Sequence, residues 1–250
     1  MLKEERQRRI LDVLGREGRV VATDLQSRLG VSGYTIRRDL DELAEARHLQ
    51  RVHGGALARS PVAPTYAERR EQSVPGKAAV AAAAATLLAP GQTVILDGGS
   101  TALALVDAIP EGHSGTFVTH SPPVAAALGA RPGIEVVVVG GTLDPRAMVA
   151  LGAQAIEAYG RITADVCFLG IWSIHATAGI SSAYYEEAEL RRVLVQRADR
   201  VVGLASRDKL GTTAQFGIAP ATALTHLATE PDAPAELLDP FAELGLRVVR

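Results

Sequence analysis

The sequence predicts two architectures in series: a small winged helix-turn-helix over residues 1–58 and an α/β domain with a mainly parallel sheet over residues 77–250. Three observations carry this. Three short apolar helical periods crowd into the first 45 residues, with a Gly-containing turn between the second and third. Five apolar strand-like runs then alternate with helical stretches, the pattern of a parallel sheet covered by helices on both faces. Between the two parts, Arg59-Ser60-Pro61-Val62-Ala63-Pro64 bears prolines and lacks large apolar residues, so residues 59–76 read as a linker.

The first helix carries Ile10, Leu11 and Leu14 and is expected to end between Gly15 and Gly18. The second starts at Thr23, whose hydroxyl can cap it, places Leu25 and Leu29 on one face, and stops at Gly30. Ser32 then caps a third helix, in which Ile36, Leu40 and Leu43 recur at i, i+4 and i+7. At about 100° per residue, Tyr34, Arg38 and Asp41 fall opposite that stripe, with Arg37 on its flank. An arginine can donate two hydrogen bonds to a guanine edge, which makes Arg37 and Arg38 the candidates for reading sequence in a DNA major groove. The alternative is a solvated face with Arg38 paired to Asp41. Leu49-Gln50-Arg51-Val52 reads as a strand pairing with Arg19-Val20-Val21, and His53-Gly54-Gly55 as a sharp turn. This makes a wing that sets Arg51 and His53 beside phosphates, unless they serve only hairpin solubility. The candidate DNA-contacting residues are therefore Ser32, Tyr34, Thr35, Arg37, Arg38, Arg51 and His53.

Charge agrees in direction. Residues 1–60 hold 12 Lys and Arg against 9 Asp and Glu, a net +3, which leaves −5 for the remainder of a chain whose total is −2.

Within the linker, Tyr66 to Gln72 is polar with helical character, and beyond it Lys77 opens an Ala-rich helix through Leu88. The expected strands are Thr93–Leu96, Phe117–Thr119, Glu135–Val139, Val166–Leu169 and Val201–Ala205. In such sheets ligands bind beyond the carboxyl ends of strands. The loop Asp97-Gly98-Gly99-Ser100-Thr101 follows a strand and opens a helix, so its N–H groups and hydroxyls can cradle a phosphate; otherwise it is a turn with Ser100 as N-cap. Gly140-Gly141-Thr142 lets a ligand approach the backbone or is a tight strand exit.

Several blocks, in order, resemble the DeoR family of bacterial regulators: Arg9-Ile10-Leu11, Leu29-Gly30-Val31-Ser32, Thr35-Ile36-Arg37-Arg38-Asp39-Leu40 and Arg51-Val52-His53-Gly54-Gly55-Ala56. The resemblance covers nearly the whole chain. It implies a sensor domain similar in fold to sugar-phosphate isomerases and CoA transferases, and repression relieved by a metabolite. It also makes the Asp97–Thr101 loop the expected phosphate seat. Thr119-His120-Ser121-Pro122 is similar to the family's Thr-Asn-Ser-x-Pro segment, with His120 in place of Asn, where it contacts ligand or caps the next helix. The chain departs from the family where Gly-x-Asp-Gly is usual: Trp172 stands in place of the aspartate, and Ser206 replaces an aspartate before Lys209. Trp172 either stacks on a ligand or packs in the core. The expected effector-binding set is Asp97, Gly98, Gly99, Ser100, Thr101, Thr119, His120, Gly140, Gly141, Trp172, Glu186 and Lys209.

The sequence thus points to a DNA-binding regulator, a repressor of carbohydrate or nucleoside metabolism genes released by a small phosphorylated sugar and acting as a homo-oligomer on double-stranded operator DNA. The rival is an isomerase, deaminase or CoA-transferase-like enzyme with an appended winged helix. Such an enzyme needs a positioned base, and Glu186, Glu187 and Lys209 are the remaining candidates, so no enzymatic activity is expected. Cys167 lies in the apolar run Val166–Leu169 and is expected to be buried and inert. Neither the spacing of the six histidines nor any Gly-x-Gly-x-x-Gly pattern after the first sensor strand calls for a metal or cofactor. The charged N-terminus and single cysteine fit the reducing cytoplasm. The apolar run Ala78–Ala89 is too short to cross a bilayer core of about 30 Å.

Overall fold

The computed structural model describes residues 1–17, 19–46, 48–52, 54–59 and 65–250. The N-terminal unit comprises α1 (Lys3–Glu17), β1 (Arg19–Val21), α2 (Ala22–Leu29), α3 (Gly33–Glu45), β2 (Leu49–Val52) and β3 (Gly55–Arg59). Ile10, Leu14, Leu25, Ile36, Leu40 and Leu43 meet in one small core, as the helical stripes require. Ser32 Oγ accepts from the Thr35 N–H at 3.2 Å and caps α3, while Gly30 closes α2 at φ 66°, a left-handed conformation. Asp39, 2% exposed, is gripped by the guanidinium of Arg6, which locks α3 onto α1.

Three local expectations are corrected. Gly15 does not end α1, which continues to Glu17; the other expected stop, Gly18, lies outside the described residues. Thr23 does not cap α2, because the helix already begins at Ala22 with Val21 as N-cap. β2 does not pair with β1: both pair antiparallel with β3, which is the centre of the wing. Gly55 is obligatory there, since a Cβ would meet the Val20 carbonyl oxygen at 2.0 Å.

After α4 (Tyr66–Glu71) and α5 (Val74–Ala85), the chain alternates through β4 (Gln92–Leu96), α6 (Ser100–Ala108), β5 (Gly115–Thr119), α7 (Pro122–Gly129) and β6 (Ile134–Val138). A hairpin of β7 (Thr142–Asp144) and β8 (Val149–Leu151) leads to α8 (Ala153–Gly160), β9 (Ala164–Gly170), β10 (Ser173–His175) and β11 (Gly179–Ser182). The remainder is α9 (Tyr185–Leu194), β12 (Ala198–Leu204), β13 (Thr212–Thr213), β14 (Phe216–Ala219), β15 (His226–Ala228), α10 (Ala235–Glu243) and β16 (Arg247–Val249).

Seven strands form one sheet in the order β16-β15-β12-β9-β4-β5-β6, and every pairing in it is parallel. Its two faces are both buried. Val94 and Leu96 pack with Phe117 and Phe168 on one side, whereas Ile95 packs with Tyr159 and Leu169 on the other, the period-two consequence of a doubly covered sheet. All five strands expected from sequence lie in this sheet; β15 and β16 extend it at one edge. Among the described residues, no helix is long and apolar enough to cross a membrane.

One pairing joins the two units. β13, in the C-terminal part, pairs parallel with the wing strand β3, with Thr212 opposite Ala58 and Thr213 opposite Arg59.

Candidate effector cleft and DNA-binding face

A cleft of about 330 Å³ opens at the carboxyl ends of β4, β9 and β12, within the range of small-molecule sites. Its floor is the loop between β4 and α6. Gly98 is required by packing, since a Cβ would meet Val149 Cγ1 at 2.1 Å, and Gly99 by conformation, at φ 114° and ψ 172°. Gly99 is the N-cap of α6 and no side chain caps the helix, so Ser100 and Thr101 enter the cleft at its positive end.

Asp97 does not reach this surface. It is fully buried, accepts from the N–H groups of Gly98 at 2.7 Å and Gly170 at 2.9 Å, and pairs with Arg191 Nε at 2.8 Å. Arg191 also pairs with Glu187 at 2.7 Å. Burial disfavours the charge of Arg191, but Asp97 and Glu187 outweigh it and hold the guanidinium more firmly protonated than usual. This triad joins β4 to α9 beneath the cleft.

His120 lies behind Asp97, sealed from solvent, with Nε2 3.4 Å from Asp97 Oδ1 and Nδ1 3.0 Å from the Tyr159 hydroxyl. Burial pulls its pKa down to about 4, against the opposing pull of Asp97. Thr119 is also buried, and its hydroxyl accepts from the Ser121 N–H. Neither lines the cleft. Gly140 and Gly141 sit between β6 and β7, also outside it; a Cβ on Gly141 would meet the Leu151 carbonyl at 2.5 Å. On α9 it is Glu187 that faces the cleft, while Glu186 points to solvent. Of the expected set, the structure brings together Gly98, Gly99, Ser100, Thr101, Trp172 and Lys209.

The opposite wall comes from residues that pattern reasoning missed. Arg69, at the end of α4, and Lys77, on α5, line the cleft beside Trp172, Asp208 and Lys209. The Lys77 ammonium donates to the carbonyls of Arg69 and Gln72, fastening the turn between α4 and α5. The aspartate absent at position 206 is answered two residues later: Asp208 pairs with Lys209 at 2.8 Å and accepts from the Ser206 hydroxyl at 2.5 Å. Trp172 is 8% exposed, with Lys209 Nζ 5.5 Å and the Arg69 guanidinium 5.7 Å from its ring centroid. Cys167 is fully buried, which pushes its thiol well above the usual range. Among the described residues, no group of His, Cys, Asp and Glu is arranged to hold a metal ion.

On the N-terminal unit, Tyr34 is 72% exposed, and Arg37 and Arg38 are exposed beside it on the outer face of α3. The partner of Arg38 is Glu42, at 3.3 Å, and not Asp41. Asp41 instead pairs with Arg51 at 2.7 Å, and Arg51 Nη1 donates to the Gly55 carbonyl at 2.6 Å. Arg51 thereby ties α3 to the wing. Ser32 and Thr35 are engaged with each other at the helix start, their hydroxyls 2.9 Å apart. His53 lies outside the described residues.

Residues 6–62 match the DeoR-like helix-turn-helix domain, and residues 72–231 match the DeoR C-terminal sensor domain. The chain is 32% identical to the HTH-type transcriptional regulator GlpR of Haloferax volcanii, covering 100% of this chain and 98% of that protein. It is likewise 32% identical to the HTH-type transcriptional regulator GolR of Listeria innocua, over 99% and 98% of the two chains. Against the glycerol-3-phosphate regulon repressor of Escherichia coli, identity is 26% over 95% of each. With an exposed recognition helix at one end and a helix-capped cleft at the other, this chain belongs to the DeoR family of DNA-binding transcriptional regulators.

Proposed function

We propose that the protein is a repressor that holds operator DNA through α3 and the wing, and releases it when a small phosphorylated metabolite enters the cleft beyond β4, β9 and β12. The observation that carries this reading is the β13–β3 pairing. Lys209, on the cleft wall, is followed within three residues by the strand that pairs with the wing, so movement of one wall has a direct route to the DNA-binding unit. A phosphate on the α6 N-terminus fits the floor, because unpaired N–H groups and the helix dipole both favour an anion there. The regulators named above, including a glycerol-3-phosphate regulon repressor, support a phosphorylated sugar or polyol as the class.

Binding without turnover suits the same geometry. Asp97 is consumed by Arg191 and two backbone N–H groups, and His120 is neutral and sealed away, so neither meets a ligand as a base. The protein is expected to act in the cytoplasm as a symmetric oligomer, since paired half-sites are normally read by two copies. To test the reading, duplexes bound by the full chain are selected from a random library, and affinity for the selected operator is then titrated with and without sugar phosphates. Loss of operator affinity with the phosphate returned unchanged by mass spectrometry supports it. An operator affinity indifferent to every phosphorylated sugar tried removes it.

A further inference from the structure

We propose that the groove between the DNA-binding unit and the sensor is a second ligand site, built for a small amphipathic carboxylate whose anion is held by Arg19 and His175 and whose apolar body lies on α10. The site is separate from the effector cleft and stands whether or not a phosphorylated sugar enters there.

The groove has a volume of about 1200 Å³, ample for a small organic molecule. Gly15 and Arg19 line it from the N-terminal unit, while the turn between β10 and β11 and the helix α10 line it from the sensor. On α10 and its C-cap, Leu237, Pro240, Phe241 and Leu244 recur at i, i+3, i+4 and i+7, which puts them on one helix face, and all four line the groove. Phe241 is rooted in the sensor core, but Leu244 is 41% exposed, so the stripe runs out of the core into open space. An apolar body laid along it would take that surface out of water.

The anion seat lies at the junction of the two units. His175 is 6% exposed, and its Nδ1 accepts from the N–H groups of Thr177 at 3.2 Å and Ala178 at 3.3 Å. Backbone amides only donate, so the proton of the neutral ring lies on Nε2. With the Nδ1 edge turned to its own hairpin, the Nε2–H edge faces the groove, and it has no hydrogen-bond partner among the described residues. Arg19 stands opposite: burial lowers the His175 pKa, and the charge of Arg19 lowers it further. The Arg19 guanidinium likewise has no ion-pair partner among the described residues, so two donors from two units meet without an acceptor, an arrangement that a carboxylate completes.

The rest of the lining limits the ligand's charge. Arg207 is paired with Asp232 at 3.0 Å, and Asp208 with Lys209 at 2.8 Å. Glu236 and Glu243 flank the apolar stripe, so a polyanion would be repelled where a single carboxylate at the Arg19 end is matched. Asp208 lines the groove on one side and the effector cleft on the other, so a groove ligand touches the turn that leads from the cleft into β13 and the wing.

Fluorescence titration of the full chain with 8-anilinonaphthalene-1-sulfonate, an apolar anion that brightens out of water, tests the proposal. A single saturable site is expected, emptied by 4-phenylbutyrate and not by 4-phenylbutanamide or glucose 6-phosphate. Arg19→Gln and His175→Gln, one from each unit, are each expected to weaken the dye at least about tenfold, the loss of a hydrogen bond to a charged group. Leu244→Asp, which sets a carboxylate in the apolar floor, should abolish dye binding. Absence of a saturable site overturns the proposal. So does failure of 4-phenylbutyrate to displace the dye, or equal displacement by the amide, since either removes the carboxylate seat. Wild-type dye affinity in Arg19→Gln and Leu244→Asp, or displacement by glucose 6-phosphate, puts the dye elsewhere and overturns the assignment to the groove. Arg19 and Leu244 are both exposed, so their variants decide even if His175→Gln does not fold. Operator release by sugar phosphates is measured separately, and none of these outcomes bears on it.

Discussion

Thr213 Oγ1 donates to the side-chain oxygen of Gln50 at 2.9 Å, a bond between residues 163 positions apart that fastens the sensor to the wing. Gln50 lies on β2 and Thr213 on β13, and both strands flank β3, so the side-chain bond reinforces the backbone pairing next to it. Coupling between sites needs an element that both ligands bias, and this small mixed sheet contains strands from both halves of the molecule.

Replacing Thr213 by valine keeps the shape and removes the donor. One partly buried hydrogen bond contributes about 1 kcal/mol, so the effector's effect on operator affinity is expected to shrink about fivefold in Thr213→Val. Both halves should stay folded. Operator titrations with and without effector measure the ratio directly; a wild-type ratio in the variant would remove this bond from the coupling route.

The two kinds of arginine on the DNA-binding unit should separate cleanly. Arg38 is exposed and, among the described residues, is held by a surface pair with Glu42, so Arg38→Ala is expected to cost about 1–3 kcal/mol of discrimination between operator and scrambled duplex, with the melting temperature unchanged. Arg51 joins Asp41 to the Gly55 carbonyl. Arg51→Ala should therefore lower the melting temperature and weaken both duplexes alike. Paired binding and melting curves on the two variants check this, and a sequence-selective defect in Arg51→Ala would contradict it.

Acid should destabilise the sensor through its buried imidazoles. The folded-state pKa of His120 is near 4, against about 6.5 when unfolded, so the unfolded chain binds the extra proton between those values. Stability is intact above about pH 6.5 and falls as pH drops towards 4, by up to roughly 3 kcal/mol from this group. His113, His175 and His226 are also lowered by burial and add in the same direction. Melting temperatures between pH 7 and pH 4 should show a shallower decline in His120→Asn, which cannot titrate; parallel declines in the two proteins would rule His120 out as a main cause.

Much of the recognition helix was legible because its signals are local. Ser32, Gly30 and the Ile36-Leu40-Leu43 stripe each act within four residues of one another, and the apolar runs that became β4, β5, β9 and β12 are buried on both faces. The cleft was half legible for the same reason. Its floor is one contiguous loop, but its far wall is assembled by tertiary packing from α4, α5 and the 3₁₀ turn Arg207–Lys209. Arg69 and Lys77 carry no pattern of their own, and residues 66–71 read as linker because a short polar helix makes its contacts only in three dimensions. A further sign existed in Thr65-x-x-Glu68, a capping box that starts the helix whose character was read over Tyr66–Gln72. The wing's centre was missed because Gly54-Gly55 read only as a sharp turn with no strand assigned after it, whereas Gly55 opens β3 in order to let β1 approach. Asp97 looked like a ligand contact because Arg191, the residue that consumes it, lies 94 positions away.

The phosphate seat can be tested without disturbing the backbone that forms it. Gly99 is a poor target, because at φ 114° and ψ 172° any side chain is strained, and a substitution there would confuse lost folding with lost binding. Gly98 is no better, since a Cβ collides with Val149. Ser100, at the first position of α6, avoids both difficulties. An aspartate placed there keeps helical geometry and interacts favourably with the helix dipole, by about 0.3–1 kcal/mol, so Ser100→Asp should melt no lower than the wild type. Its carboxylate nevertheless occupies the positive end of α6 and repels an incoming phosphate. The expected variant binds operator with wild-type affinity and no longer releases it on addition of a sugar phosphate. Fluorescence titrations of labelled operator, with and without effector, distinguish the outcomes. Normal release by a well-folded Ser100→Asp would place the phosphate away from the α6 N-terminus.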